Sequence, residues 1–117
     1  MANFVLSLHS SPSDVCTLQA LYRFSQSVIA AGHQISCIFL YQDGVYHACD
    51  NFDVSNDEFN PENIWSRIFD LNIDVQVCIT AAGKRGIAID DSSAFNVSGL
   101  AEFAMLTSAA DKWVQFK

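Results

Sequence analysis

Ile35-Ser36-Cys37-Ile38-Phe39-Leu40-Tyr41 is almost unbroken in apolar character. A strand with one face in water alternates apolar and polar residues, so this run predicts a strand buried on both faces, as in a parallel sheet covered by helices. Upstream, Gly32 stands where the residue after a helix is expected, and Leu18, Leu21, Tyr22, Ser25 and Val28 recur at helical spacing, predicting a helix from about Val15 to Ala31. Before it, Asn3 to His9 reads as a buried strand that ends in the turn-forming Ser10-Ser11-Pro12-Ser13-Asp14, with Ser13 or Asp14 as helix cap.

Downstream, Asp43-Gly44 turns the chain, and the acidic stretch Asp50 to Phe59 reads as a surface loop. Asn60-Pro61 offers a cap and a first-turn proline for a helix to about Leu71, whose stripe is Ile64, Ile68 and Leu71 with Trp65 beside it. Asp74 to Thr80 predicts a third strand, Ala81 to Arg85 a short helical turn, Gly99 to Ala110 a last helix, and Lys112 to Phe116 a closing strand. Gly86 to Ile89 leaves room for a fifth short strand. Strands alternating with helices require right-handed crossovers, so the expected fold is a three-layer α/β/α domain over residues 1–117, with a parallel sheet of four or five strands.

Six Lys and Arg against 13 Asp and Glu give a net charge of −7, which repels phosphate backbones and anionic lipid surfaces. Direct binding to nucleic acid or membrane is therefore not expected. The N-terminus lacks a basic signal region, and no run approaches the ~18 apolar residues of a membrane span, so a cytoplasmic location is expected. The apolar fraction is 50%, more than so small a domain is expected to bury alone, which predicts an oligomer.

In this fold class, ligands gather beyond the carboxyl ends of the strands, which selects His9 to Asp14, Tyr41 to Cys49, and Cys78 to Gly86. Cysteines occur at 16, 37, 49 and 78 without a C-x-x-C pair, so neither zinc nor a dithiol redox site is expected, and the reading calls for no metal and no cofactor. Cys78 precedes a helical turn whose free N–H groups favour an anion, and Lys84-Arg85 is an adjacent basic pair in an acidic chain. Those features make Cys78 the candidate nucleophile, with Lys84 and Arg85 as supporting residues; a buried thiol that only packs in the core is the alternative reading. The phosphate loop that places arginine six residues after its cysteine does not fit, because Lys84 holds that position and Arg85 comes one later. Cys16, at the start of the first helix, ranks second; Cys37 reads as core, and Cys49 as a surface thiol beside His47. The His9 to Asp14 segment has the hydroxyls of a phosphate-binding turn but no glycine, and it reads first as an ordinary capped loop.

Ala31-Gly32-His33 leading into Ile38-Phe39-Leu40-Tyr41, Asp43-Gly44-Val45-Tyr46-His47-Ala48, Val77-Cys78-Ile79-Thr80-Ala81-Ala82 with Arg85-Gly86-Ile87, Ser98-Gly99-Leu100 and Asp111 to Phe116 follow one another in an order and spacing that resembles the DsrE/TusD family of sulfurtransferase subunits. The resemblance covers nearly the whole chain. It implies a subunit that accepts sulfane sulfur as a persulfide on Cys78 and passes it to a partner protein, in tRNA 2-thiouridine formation or in sulfur oxidation. The partners it implies are related small subunits forming a heterohexamer, together with sulfur-donor and sulfur-acceptor carrier proteins. Between Arg85-Gly86 and Ser98-Gly99 the chain is shorter than the family pattern, at a place where loops shape access to a site. The rival reading is a non-catalytic assembly subunit of a DsrE/DsrF/DsrH-like heterohexamer; a flavin-binding module is a third.

Overall fold

A computed structural model describes residues 1–49, 61–89 and 93–117. The central apolar run forms β2 (Gln34–Leu40), and β1 (Asn3–Leu8) pairs with it in parallel, Leu8 opposite Leu40. Between them runs α1 (Val15–Ala30). Asp14 caps it by accepting the Thr17 N–H at 3.2 Å and the Thr17 hydroxyl at 2.7 Å. At the other end Gly32 takes a left-handed φ of 86°, which lets Gly32 and His33 N–H groups donate to the Ile29 and Val28 carbonyls, at 3.0 and 3.1 Å. His33 then points the chain into β2 and accepts the Ala2 N–H on Nδ1 at 2.9 Å.

After β2, residues 42–48 form a 3₁₀ helix that contains the expected Asp43-Gly44 turn. It folds back over the end of β1: a Cβ on Gly44 would lie 2.1 Å from the Leu8 carbonyl oxygen. Next come α2 (Pro61–Asp70), beginning on the anticipated proline, and β3 (Val75–Cys78). The acidic segment 50–59 and the Asn60 cap lie outside the described residues.

The structure refines the third strand. Thr80 was its expected end, but Ile79 already belongs to α3 (Ile79–Lys84). The reason lies in the neighbour: β4 (Asn96–Ser98) pairs with β3 only as far as Cys78 opposite Ser98, and beyond that point no edge partner among the described residues supports an extended chain. The fifth strand thus exists, at Asn96–Ser98 rather than at 86–89, which is irregular. Then α4 (Leu100–Ala109) leads to β5 (Lys112–Phe116), which pairs in parallel with β1.

The sheet order is β4-β3-β2-β1-β5. The chain steps outward from β1 to β4, then returns across the sheet through α4 to the far side of β1. Right-handed crossovers in opposite directions place α1 and α2 on one face and α4 on the other, giving a three-layer α/β/α fold. Ring contacts mark the two faces. Phe24 of α1 meets Phe4 and Phe116 on one side, while Phe103 of α4 stacks on Phe39 at 4.2 Å and meets Trp113 edge-on at 5.4 Å on the other. Among the described residues no helix is long and apolar enough to cross a membrane.

Because the Gly44 approach is to backbone and no flexible side chain can yield, Gly44→Ala should destabilise the fold by roughly 3 kcal/mol. Denaturant unfolding should show a lower midpoint with an unchanged slope.

Candidate functional site at the carboxyl edge of the sheet

Strand order reverses between β1 and β5, yet their carboxyl ends are closed to one another, since the His9 N–H donates to the Phe116 carbonyl at 2.9 Å. The candidate cysteine lies farther across the edge. Cys78 is the last residue of β3, fully buried, in extended backbone with no bond from its side chain to the helix it precedes. No loop separates strand from helix, so the first N–H groups of α3 open directly beyond this residue.

Lys84 is exposed in the last turn of α3. Arg85 follows it, but its Nε donates to Asp43 Oδ1 at 3.0 Å and its Nη1 to the Ala81 carbonyl at 3.2 Å. The guanidinium thus fastens the end of α3 to the 3₁₀ helix. On the other side of Cys78, its ladder partner Ser98 donates its hydroxyl to Glu102 at 2.6 Å, and Glu102 also accepts the Gly99 N–H at 2.7 Å. These two donors hold the Glu102 carboxyl below the usual range. The structure therefore surrounds β3 with an internally paired cation and a hydrogen-bonded carboxylate.

Register brings other groups to the same face. Ser7 pairs with Phe39, Phe39 with Gln76 and Gln76 with Asn96; two residues farther along, alternation aligns His9, Tyr41, Cys78 and Ser98. Trp113 Nε1 donates to Ser7 Oγ at 3.0 Å, Ser7 Oγ lies 3.0 Å from His9 Nε2, and His9 Nδ1 lies 3.1 Å from Gln42 Oε1. Since the Gln42 oxygen can only accept, His9 carries a proton on Nδ1, and in the neutral ring its Nε2 receives the Ser7 hydroxyl. Burial lowers its pKa.

His47 links three elements. Trp65 Nε1 donates to its Nδ1 at 3.1 Å, and its Nε2 donates to the Ser10 carbonyl at 3.1 Å. A cavity of about 620 Å³ opens beside it, lined among others by Trp65, Phe69, Ile87 and Phe95, and Cys78 is not in its wall. Among the remaining cysteines, Cys16 is exposed, Cys49 is half-buried, and Cys37 is a core thiol that burial, helped by Asp74, pushes up to about 12. Among the described residues no three His, Cys, Asp or Glu side chains gather into a metal site. The hydroxyl-rich turn works as the cap of α1, with Ser11 and Ser13 bonded to each other at 2.6 Å.

The sequence reading placed Cys78, Lys84 and Arg85 together on the β3-α3 unit and put the His9 and Tyr41 segments at the same edge, but missed Ser7 and Ser98 and the alignment of all four with Cys78 on one face. Their i, i+2 spacing within strands was the available signal, as in Ser7 with His9 and Phe39 with Tyr41.

Comparison with known proteins adds an independent line. The DsrE/DsrF-like family matches residues 3–116. The chain is 32% identical, over a 126-position alignment covering 97% of it and 95% of the relative, to a protein from Pseudomonas aeruginosa named sulfurtransferase TusD homolog. It is 31% identical to a sulfurtransferase TusD from an Enterobacter species, covering 80% of this chain and 84% of that one. In fold it resembles the crystal structure of the ychN protein from E. coli, with a TM-score of 0.82, 20% identity and coverage of 99% and 100%. A protein of unknown function from Methanobacterium thermoautotrophicum matches with a TM-score of 0.72 at 12% identity, covering 98% and 99%.

Burial lowers the His47 pKa to about 4, against an ordinary value of 6.5, outweighing the bond from Nε2 to the Ser10 carbonyl, which favours the charged ring. A depressed folded pKa contributes stability that is complete above pH 6.5 and is lost as pH falls from there to about 4. The loss across that window should be ~3 kcal/mol. Unfolding measured at intervals of pH should show the slope in the wild type and a flatter one in His47→Gln.

Proposed function

The chain belongs to the DsrE/DsrF-like family, and from that premise we propose that it is a sulfurtransferase subunit of a sulfur relay, carrying sulfane sulfur as a persulfide on Cys78. The observation that carries this reading is the position of Cys78: a cysteine at the carboxyl end of a parallel strand, directly before a helix, in a chain aligned nearly end to end with a relative named as a sulfurtransferase. In the transfer, the Cys78 thiolate attacks the terminal sulfur of a donor persulfide. A new S–S bond forms on Cys78, the donor's S–S bond breaks, and its electron pair leaves on the donor thiolate. An acceptor thiolate repeats the exchange and restores Cys78. No oxidant or reductant is consumed.

The partners this reading calls for are donor and acceptor carrier proteins and related small subunits in a heterohexamer. Lys84 and Arg85 support the site, either by stabilising the thiolate or by docking a partner. The Arg85 pairing with Asp43 favours the docking role for the exposed Lys84 and a bracing role for Arg85.

One observation favours the rival reading of a non-catalytic assembly subunit. Cys78 has 0% exposure in the chain alone, whereas Trp113 and Met105 are 47% and 73% exposed as partner-ready apolar surface. The same experiment separates the two. In a background with Cys16 and Cys49 changed to Ser, incubation with a small-molecule persulfide donor should add one sulfur atom by intact mass, and Cys78→Ser should abolish it. An unmodified protein that stays unmodified after assembly with its partners would establish the rival.

Cation support is tested separately. If Lys84 and Arg85 stabilise the thiolate, changing both to Ala should move the pH–rate profile for iodoacetamide at Cys78 to higher pH. If they dock a partner, the profile stays in place and only transfer to the acceptor protein slows.

A further inference from the structure

Tyr41 is the residue that follows β2, and the register of Phe39 with Gln76 and Leu40 with Val77 brings it alongside Cys78. Its backbone is still in ladder geometry, with φ −134° and ψ 158° and its N–H donating to the Leu8 carbonyl at 3.1 Å. Strand alternation therefore puts the phenol and the thiol on the same face, the one covered by α4.

The ring is held from two sides. It stacks on Phe39 at 6.3 Å with 28° between planes, and the edge of His9 meets it at 5.9 Å and 85°. His9 is itself tethered through Ser7 and Gln42. Gln42 adopts a left-handed φ of 53°, which is unfavourable for a residue with a Cβ and is kept only where the surroundings impose it. Strained backbone thus sits next to Tyr41 in the chain, and its side chain holds the histidine that flanks the ring. For all this fixing, the Tyr41 hydroxyl makes no hydrogen bond among the described residues, and neither does the Cys78 thiol cap its helix.

A phenol oxygen lies farther from its Cα than a cysteine sulfur does, and among the described residues no hydrogen bond joins the Tyr41 hydroxyl to the Cys78 thiol. A persulfide extends the cysteine by one S–S bond, about 2 Å, toward the height of that oxygen. We propose that Tyr41 holds the stored sulfur: its O–H donates to the terminal sulfur of the Cys78 persulfide. This rests on the sulfur-carrier reading and names the residue that receives the cargo.

The balance is simple. Attack by the Cys78 thiolate on a donor R–S–SH gives Cys78–S–SH and R–S⁻; the proton then passes from the persulfide to the donor thiolate, leaving Cys78–S–S⁻ and R–SH. The terminal anion is what the phenol stabilises, and a hydrogen bond to a charged acceptor is of the stronger kind.

The test compares wild type with Tyr41→Phe, which keeps the ring and its two contacts, in the Cys16→Ser, Cys49→Ser background. Each protein is loaded from a small-molecule persulfide donor and alkylated with iodoacetamide over a range of pH, with intact mass distinguishing the alkylated persulfide from the alkylated thiol. The persulfide profile of Tyr41→Phe should lie about one pH unit higher, a roughly tenfold loss of anion on the rising limb, while the thiol profiles coincide. A fluorinated tyrosine at position 41, a stronger donor of the same shape, should move the persulfide profile the other way. Superimposed persulfide profiles overturn the inference, as does an equal shift of the thiol profile, which would mean a change in local structure. Wild-type protein that takes up no sulfur overturns the carrier reading, and the inference with it.

Discussion

In a parallel ladder, a slip of one residue turns every side chain of a strand to the opposite face. The pairings of Leu8 with Leu40, Leu40 with Val77, and Cys78 with Ser98 are thus the constraint on which the carboxyl edge depends. They are enforced by burial on both sides. Leu6, Leu8, Ile38 and Leu40 are fully enclosed beneath α1 and α2, while Phe39 is stacked under Phe103, so no shifted register keeps both faces apolar. The close approach of Gly44 to Leu8 locks the same register from the end, because the 3₁₀ helix can lie over β1 only at one height.

That constraint also explains the character of the site. Cys78 ends fully buried, with its ladder partner Ser98 committed to Glu102. The N–H groups that open α3 follow it directly, because no loop separates the strand from the helix. Arg85 holds the far end of this short helix against the 3₁₀ segment.

Most of the architecture was legible because its signals are local. Asp14, Gly32 and Pro61 mark helix ends through the conformations they permit, and the run from Ile35 to Tyr41 advertises two-sided burial. β4 was not legible. Asn96-Val97-Ser98 has one strongly β-prone residue and is a strand only because β3 offers an edge. The end of β3 was missed for the same reason, since Ile79 and Thr80 are good strand residues that have no edge partner among the described residues. At the site, Cys78 could be singled out from its own segment, whereas the company of His9, Tyr41 and Ser98, and the commitment of Arg85 to Asp43, are products of register and tertiary approach that no segment carries alone.

The pairing of β5 with β1 joins residues from opposite ends of the chain: the Asn3 N–H meets the Asp111 carboxylate across 108 positions of sequence. During synthesis, β1 is therefore made long before β5, the strand that becomes its second neighbour. Until Lys112–Phe116 is available, one edge of β1 offers unpaired N–H and C=O groups, and the face that α4 will cover stands open. A sheet built around so non-local a pair folds slowly, and its half-assembled form is the species most apt to pair wrongly with another chain.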